Sequence, residues 1–261
     1  MRVLSFGAGV QSTALLVAAK KGLIAPVDLV VFADTHAEPA SVYEWISFVS
    51  SELKTEIKFV TSGDIVSDSL SGNRFASPPF FIRNQSGKVG MLRRQCTSDY
   101  KIQPIHKFLR EYKTREPIVL LMGISTDEIQ RAKESRVKWI RHEFPLLWSE
   151  LQSHCGGLLG WNRQQCVEFV EKSLGRSPPK SACYFCPYHT DKEWMNLKQN
   201  EPQTFERAVD FDLAIRKMTG INGDAFLHRS LTPLSEINFD KRTTEPNQLS
   251  LLDECDGMCG V

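Results

Sequence analysis

The chain has 261 residues, with 32 Lys and Arg against 31 Asp and Glu and a formal net charge of +1. That length suits one large α/β domain with a small appendage and a core that needs no disulfide staples, and the near-neutral balance argues neither for nor against a nucleic-acid partner, because a local basic patch fits inside it. A helical membrane span is excluded, since no run of about 18 apolar residues occurs. Met1-Arg2-Val3-Leu4-Ser5-Phe6 runs straight into a strand-like segment with no leader pattern,. The seven cysteines are therefore expected in a reducing cytoplasm, where clustered thiols bind metal or do chemistry,.

Val3-Leu4-Ser5-Phe6 reads as a short apolar strand and Gly7-Ala8-Gly9 as a glycine turn,. Ser12 or Thr13 then caps a helix that ends near Lys20-Lys21-Gly22,. Val27 to Ala33 reads as a buried second strand, Pro39 opens a second helix through Trp45 and Val49, and Ile57-Lys58-Phe59-Val60 is a third strand,. That rhythm predicts right-handed βαβ units on a parallel sheet. Residues 61–95 break it with Ser, Gly, Pro and Asn. So long a connection is functional or mobile. Its Phe80, Phe81 and Arg83 offer either a base-stacking surface or a lid packed on the domain,. Pro104 starts another helix, and the wholly apolar Ile118–Gly123 is a fourth strand expected at the centre of the sheet. Arg163 to Leu174 is an amphipathic helix, and a helical region from about Asp191 to Met218 pauses at Pro202,. The polar tail ends in Cys255-Asp256-Gly257-Met258-Cys259. These elements predict an α/β fold: a doubly wound, mostly parallel sheet over residues 1–150, then a C-terminal helical subdomain over 151–261,.

Ser5 to Thr13 sits between the first strand and the first helix. Glycines let the backbone approach a ligand, and consecutive amides at a helix N-terminus suit a phosphate. A capped strand-to-helix turn of any α/β fold has the same composition. Neither the Walker nor the dinucleotide glycine spacing is present,.

The segment resembles the PP-loop of the ATP-pyrophosphatase superfamily, usually Ser-Gly-Gly-Lys-Asp-Ser, with Gly7-Ala8-Gly9-Val10-Gln11-Ser12 in its place. Val10 stands where the family often has Lys and Gln11 where it has Asp, departures similar to those of a phosphoadenosine phosphosulfate reductase-like branch. Ala33-Asp34-Thr35 resembles the strand-then-Asp-Thr segment that reads adenine. Gly123-Ile124-Ser125-Thr126-Asp127-Glu128 resembles the Gly-Ile-Arg-x-x-Glu segment near ribose and phosphates, with Ser125 for the usual Arg and Arg131 as the substitute cation. The resemblance covers roughly residues 1–200 and implies a HUP-like, adenine nucleotide alpha hydrolase-like fold. It further implies ATP or a related adenine nucleotide held by Ser5, Gly7, Ala8, Gly9, Gln11, Ser12, Thr13, Ala33, Asp34, Thr35, Gly123 and Arg131, with Mg²⁺ at the phosphates and Asp34 and Arg131 acting in catalysis.

Cys183-Tyr184-Phe185-Cys186 is a Cys-x-x-Cys knuckle, able to grip one metal or one cluster edge,. Cys96, in Cys96-Thr97-Ser98-Asp99-Tyr100-Lys101-Ile102-Gln103-Pro104, resembles the Cys-Cys-x-x-x-Lys-x-x-Pro segment of iron–sulfur sulfonucleotide reductases, with Thr97 for the second cysteine. The expected centre is a [4Fe–4S] cluster on Cys96, Cys183, Cys186 and Cys259; zinc, with His189 as a further donor, and buried thiols are the alternatives. Cys166 lies on an apolar stripe and reads as core. Glu254-Cys255 resembles the reductase tail whose cysteine attacks the sulfonate, which makes Cys255 the candidate nucleophile,. His228 and Arg229 read as substrate contacts or as surface, and Arg93-Arg94 as an anion-binding pair or a solvated one,.

The leading expectation is an enzyme that splits ATP to AMP and pyrophosphate or adenylates a substrate, in sulfur-transfer or nucleic-acid modification chemistry. Relatives acting in DNA phosphorothioation and tRNA thiolation make DNA, tRNA or a sulfur-donor protein its partner. The rivals are a sulfonucleotide reductase with a thioredoxin-like partner and a non-catalytic nucleotide sensor or accessory subunit.

Overall fold

Both faces of the first strand are apolar, and the chain covers both. The computed structural model describes residues 1–71, 78–147 and 159–239. Its elements in chain order are β1 (Arg2–Ser5), α1 (Val10–Lys20), β2 (Leu29–Asp34), α2 (Ala40–Glu52), β3 (Ile57–Thr61), α3 (Ile65–Leu70), β4 (Phe81–Arg83), β5 (Val89–Met91), α4 (Gln103–Leu109), β6 (Ile118–Leu121), β7 (Ile140–Glu143), α5 (Arg163–Leu174), α6 (Asp191–Asn200), α7 (Pro202–Ala214) and β8 (Asp224–Phe226).

The main sheet has the order β3-β2-β1-β6-β7, with every neighbour parallel. Alternation along the strands divides its core. Leu4, Val30, Phe32, Val119 and Leu121 face one side, with α1, α2 and α5 residues such as Leu15, Trp45 and Val170. Val3, Val31, Ile118 and Leu120 face the other, with Ile105 and Leu109 of α4. Side chains apolar on both faces are what a parallel sheet covered by helices demands. The doubly wound parallel sheet expected from the sequence is therefore present. The central strand is β1, with β6 one place outward, flanked by β7. Strands β1, β2 and β6 all end at the same edge, and that edge carries Ser5, Asp34 and Gly123.

A third core cluster joins Ile65, Phe80 and Tyr100 to Trp194, Phe205 and Phe211 of α6 and α7. The break at Pro202 is real: α6 ends at Asn200 and α7 starts at Pro202, where a missing N–H is harmless,. Among the described residues, no helix is long and apolar enough to cross a membrane.

The irregular stretch after β3 contributes β4 and β5 to an antiparallel sheet of order β5-β4-β8, pairing Phe81 with Met91 and with Phe226. Phe80 is fully buried and Arg83 lies over the Phe226 ring, 5.5 Å from its centroid, while donating to the Leu231 carbonyl at 3.1 Å. Neither forms a base-stacking surface; of the two readings, the packed segment holds. The pairing depends on Gly223, whose φ of +131° is open only to glycine. A Cβ there would overlap the Arg83 carbonyl oxygen and lie 2.6 Å from the Asn84 Cα,.

Gly223→Ala is expected to destabilise the protein by at least about 2 kcal/mol, through backbone strain and overlap together. Gly90→Ala is the control: a Cβ there meets nothing within 4 Å. Denaturant unfolding of the two variants checks this; equal midpoints would show that β8 does not depend on that close approach.

Candidate functional site

Between Ser5 and Val10 the chain turns at the carboxyl edge of the sheet. The left-handed residue in this turn is Ala8, with φ 58°, not a glycine. An alanine there costs about 1–2 kcal/mol, so the surrounding structure holds the loop in place. Gly9 caps α1 in an extended conformation, and a Cβ on it would touch the Ser181 Cβ at 3.8 Å. The Ser12 hydroxyl accepts from the Gly7 N–H at 3.2 Å and donates to the Gly9 carbonyl at 3.2 Å. Thr13 is fully buried and its hydroxyl accepts from the Trp45 indole at 3.2 Å, so it faces the core and not the loop. The first turn of α1 carries no acidic residue. A helix N-terminus of this kind favours negative charge through its free amides and dipole.

The loop after β6 comes close to that turn. A Cβ on Gly123 would lie 2.9 Å from the Ser12 nitrogen and 3.2 Å from the Gln11 Cβ. Asp34 closes the other side of the crevice, and its Oδ1 accepts from the Tyr43 hydroxyl at 2.7 Å and from the His36 N–H at 2.8 Å. Burial and that hydrogen bond push the Tyr43 phenol well above its ordinary range.

The knuckle packs directly on this crevice. Thr35 Oγ1 lies 3.4 Å from Cys183 Sγ, the Tyr184 N–H donates to the Ala37 carbonyl at 2.8 Å, and the Ser181 hydroxyl donates to the Gly7 carbonyl. Cys96, Cys183 and Cys186 line one cavity, together with Arg94 and Lys101. Sequence reasoning paired these thiols across a long separation, and the fold brings them to one cavity. None is in a disulfide. Among the described residues, however, no three His, Cys, Asp or Glu side chains stand together as a site for a single metal ion. Behind Lys101, the Glu38 carboxylate forms a buried ion pair at 3.3 Å. His189, an alternative zinc donor, holds the knuckle instead: Nε2 lies 3.0 Å from the Cys183 carbonyl and Nδ1 3.8 Å from Glu193. Cys155, Cys255 and Cys259 lie outside the described residues.

A family model described as the phosphoadenosine phosphosulfate reductase domain matches residues 2–173. The chain belongs to this family. Among curated proteins nothing matches. Among solved structures, the phosphoadenylyl-sulfate reductase of Candida auris in its phosphate complex is similar at 13% identity and a TM-score of 0.42, over 66% of this chain and 70% of that one. The span matched by the reductase-domain model takes in the loop, Asp34, Cys96 and Gly123, and it ends before the knuckle.

Within this reductase-family domain the cations differ from those expected. Val10 is buried in the first turn of α1. Arg131 is ion-paired to Glu128 at 2.5 Å, both side chains being nearly buried at 11% and 13% exposure. A second arginine, which sequence reasoning missed, reaches the loop: Arg163 Nη1 donates to Gln11 Oε1 at 3.2 Å. The only sequence signal was its place at the start of the amphipathic α5. His228 is 1% exposed, so the surface reading fails. Its Nδ1 takes the Ser230 N–H at 3.1 Å, which leaves Nε2–H to donate to Asp191 at 2.8 Å.

Cys166 behaves as the core residue its stripe implied. Burial, with the Asp127 charge adding, pushes its thiol up to about 12 from 9.0. Native protein at about pH 8 should therefore leave Cys166 unalkylated, while unfolded protein is labelled there. The stability this neutral thiol contributes is complete below about 9 and is lost as pH rises towards 12,. Unfolding free energies of Cys166→Ala and parent, compared across that alkaline window, check the sign. A steeper loss in the variant than in the parent would contradict it.

Proposed function

We propose that the crevice between the loop, Asp34 and Gly123 binds an adenine sulfonucleotide, and that the protein reduces its sulfonate through a cysteine thiolate. The observation that carries this reading is the shared wall. Thr35 belongs to the crevice and touches Cys183, while Ser181 of the knuckle segment bonds the loop carbonyl of Gly7. A nucleotide with its phosphate on the α1 amides has its sulfonate end directed towards the cysteine cavity. Membership of the reductase-domain family supports the same choice.

In the proposed chemistry the Cys255 thiolate attacks the sulfonate sulfur. A sulfur–sulfur bond forms, the sulfur–oxygen bond to the phosphate breaks, and the nucleotide leaves as its 5′-phosphate with the electron pair. A dithiol protein of the thioredoxin class then attacks the Cys255 sulfur, expels sulfite and ends as a disulfide. Amides of the loop and nearby guanidiniums hold the leaving phosphate. Cys96, Cys183, Cys186 and Cys259 are the proposed ligands of a [4Fe–4S] cluster. The three described thiols lining one cavity are the observation that supports a shared centre,. When bound, the cluster would hold these four thiolates together and fix the knuckle beside the crevice. Lys101, held in place by the buried ion pair with Glu38, lines the same cavity.

A second reading is cleavage of ATP with adenylation of an acceptor such as DNA or tRNA. The Arg163 guanidinium beside Gln11 favours it, because a triphosphate needs positive charge that the loop itself does not carry.

Product analysis separates the two. Adenosine 5′-phosphosulfate with a dithiol reductant is expected to yield sulfite, and Cys255→Ser is expected to abolish that product while nucleotide still binds. Pyrophosphate from ATP, with no sulfite from the sulfonucleotide, would replace the first reading by the second. Cys96→Ser is expected to cut bound iron to a small fraction of the parent's and to lower stability, since ligand loss removes binding energy linked to folding. Cys166→Ala should keep the parent's iron; full iron in the Cys96 variant would remove Cys96 from the centre.

A further inference from the structure

The loop from Ser5 to Thr13 contains no basic residue, yet it is proposed to hold an anion. Arg131 does not supply an uncompensated charge, because Glu128 lies 2.5 Å away. Arg163 is different. Among the described residues it has no carboxylate within ion-pair distance of its guanidinium. Asp127 accepts from its backbone N–H at 3.1 Å instead, and the guanidinium donates to the neutral Gln11 carboxamide.

We propose that Arg163, aimed by Gln11, is the cation that meets the phosphate of the bound nucleotide, and that binding there needs no divalent metal. This rests on the nucleotide reading above and deepens it. Gln11 is 4% exposed and has a defined orientation. Its Nε2 faces Glu128 Oε2 at 3.4 Å and Ser125 Oγ at 3.5 Å, which leaves Oε1 for Arg163. An amide in this position orients the guanidinium without neutralising it. A carboxylate of similar reach would form an ion pair and withdraw the charge from a ligand. The aim is rigid at the Arg163 end too. The capping box of Asn162 and Gln165 sets the first turn of α5, and the Thr126 N–H bonds the Trp161 carbonyl at 3.0 Å. Helix α5 thus carries the charge that Val10 lacks, from a segment far along the chain.

The same side chains leave a divalent ion without a place. Mg²⁺ is usually bound through one or two carboxylates together with phosphate oxygens. Here Glu128 is matched by Arg131, Asp34 Oδ1 already accepts from the Tyr43 hydroxyl and the His36 N–H, and position 11 is an amide. Among the described residues the side chains at the loop do not fit the Mg²⁺ expected from the sequence, and the arginine takes over its electrostatic role.

Calorimetry on the full chain tests this, with adenosine 5′-phosphosulfate as the probe, in excess EDTA and in excess Mg²⁺. The parent is expected to bind equally in both. Arg163→Ala is expected to weaken binding by about ten- to a hundredfold, the loss of one charge-assisted hydrogen bond, with Arg163→Lys recovering part. Its backbone bond to Asp127 survives the substitution, so the melting temperature should stay near the parent's. Gln11→Glu reads the same interaction without touching α5. It should weaken binding in EDTA, because its carboxylate neutralises Arg163. Parent-like affinity in a folded Arg163→Ala protein, or binding by the parent only with Mg²⁺, would overturn the proposal. If the parent binds no nucleotide, the nucleotide reading fails, and inorganic phosphate then decides the anion site by itself. Loss of phosphate binding in Arg163→Ala upholds the site, and phosphate binding that is unchanged or absent overturns it.

Discussion

The close approach of Gly123 to the first turn of α1 is the constraint on which the crevice depends. A Cβ there would sit 2.9 Å from the Ser12 nitrogen, so any side chain drives the β6 loop away from the helix end. That contact fixes Gln11 between the two parallel strands' termini. Gln11 in turn faces Ser125 and Glu128 on one side and Arg163 on the other. The order of strands makes the contact possible. β6 lies beside β1, and parallel registry brings both carboxyl ends to one edge. Crevices of open α/β sheets form where neighbouring strand ends lead to opposite faces. α1 packs with the first core face and α4 with the other.

The neighbouring cavity rests on a different physical device. Glu38 and Lys101 are both buried, and Glu38 Oε2 has no hydrogen-bond partner. Removing one member of such a pair typically costs about 3–5 kcal/mol, while replacing both by apolar groups is often neutral. The pair is therefore poor value as a stabiliser. Its geometry is better explained by what it fixes: a lysine that lines the same cavity as Cys96, Cys183 and Cys186. The knuckle is held just as firmly. The Lys180 ammonium and the His189 imidazole overcome the opposing effect of burial and keep the Glu193 carboxyl well below its usual range. That carboxylate also accepts from the Thr190 N–H at 2.8 Å, completing the capping box of α6. Helix start, histidine and cysteine turn are thus one unit.

The legible parts of the sequence were those with local cause. Pro39 and Pro104 marked helix starts, the apolar strands alternated or ran buried, and Gly175 closes α5 in the left-handed conformation. The illegible parts have causes that are distant along the chain. β7 is Ile-Arg-His-Glu, whose ends are buried while Arg141 is exposed, and its strand state comes from pairing with β6 rather than from an apolar pattern. β4, β5 and β8 have three residues each and exist because Gly223 admits the Arg83 backbone. In the site, the glycine turn was read correctly as a turn, but its left-handed residue is Ala8. Thr13 looked like a hydroxyl donor because nothing local reveals Trp45 as its partner. Arg163 could not be seen because its role depends on how α5 packs against α1.

These features explain why the departures at Val10 and Gln11 belong together. A loop lysine beside a loop aspartate is a self-compensated arrangement whose charge reaches a ligand largely through a bridging cation. Here the valine is buried in the first turn, and the glutamine is turned towards a cation on another helix. Changing only one of the two would put either a lysine at a buried position of α1 or a carboxylate beside Arg163 that quenches it. The pair of substitutions therefore describes one electrostatic design: a neutral loop whose positive charge arrives from the side. On the proposed reading, such a loop suits a phosphate monoester leaving group, since a fixed guanidinium stabilises the departing anion without a divalent ion at the phosphate.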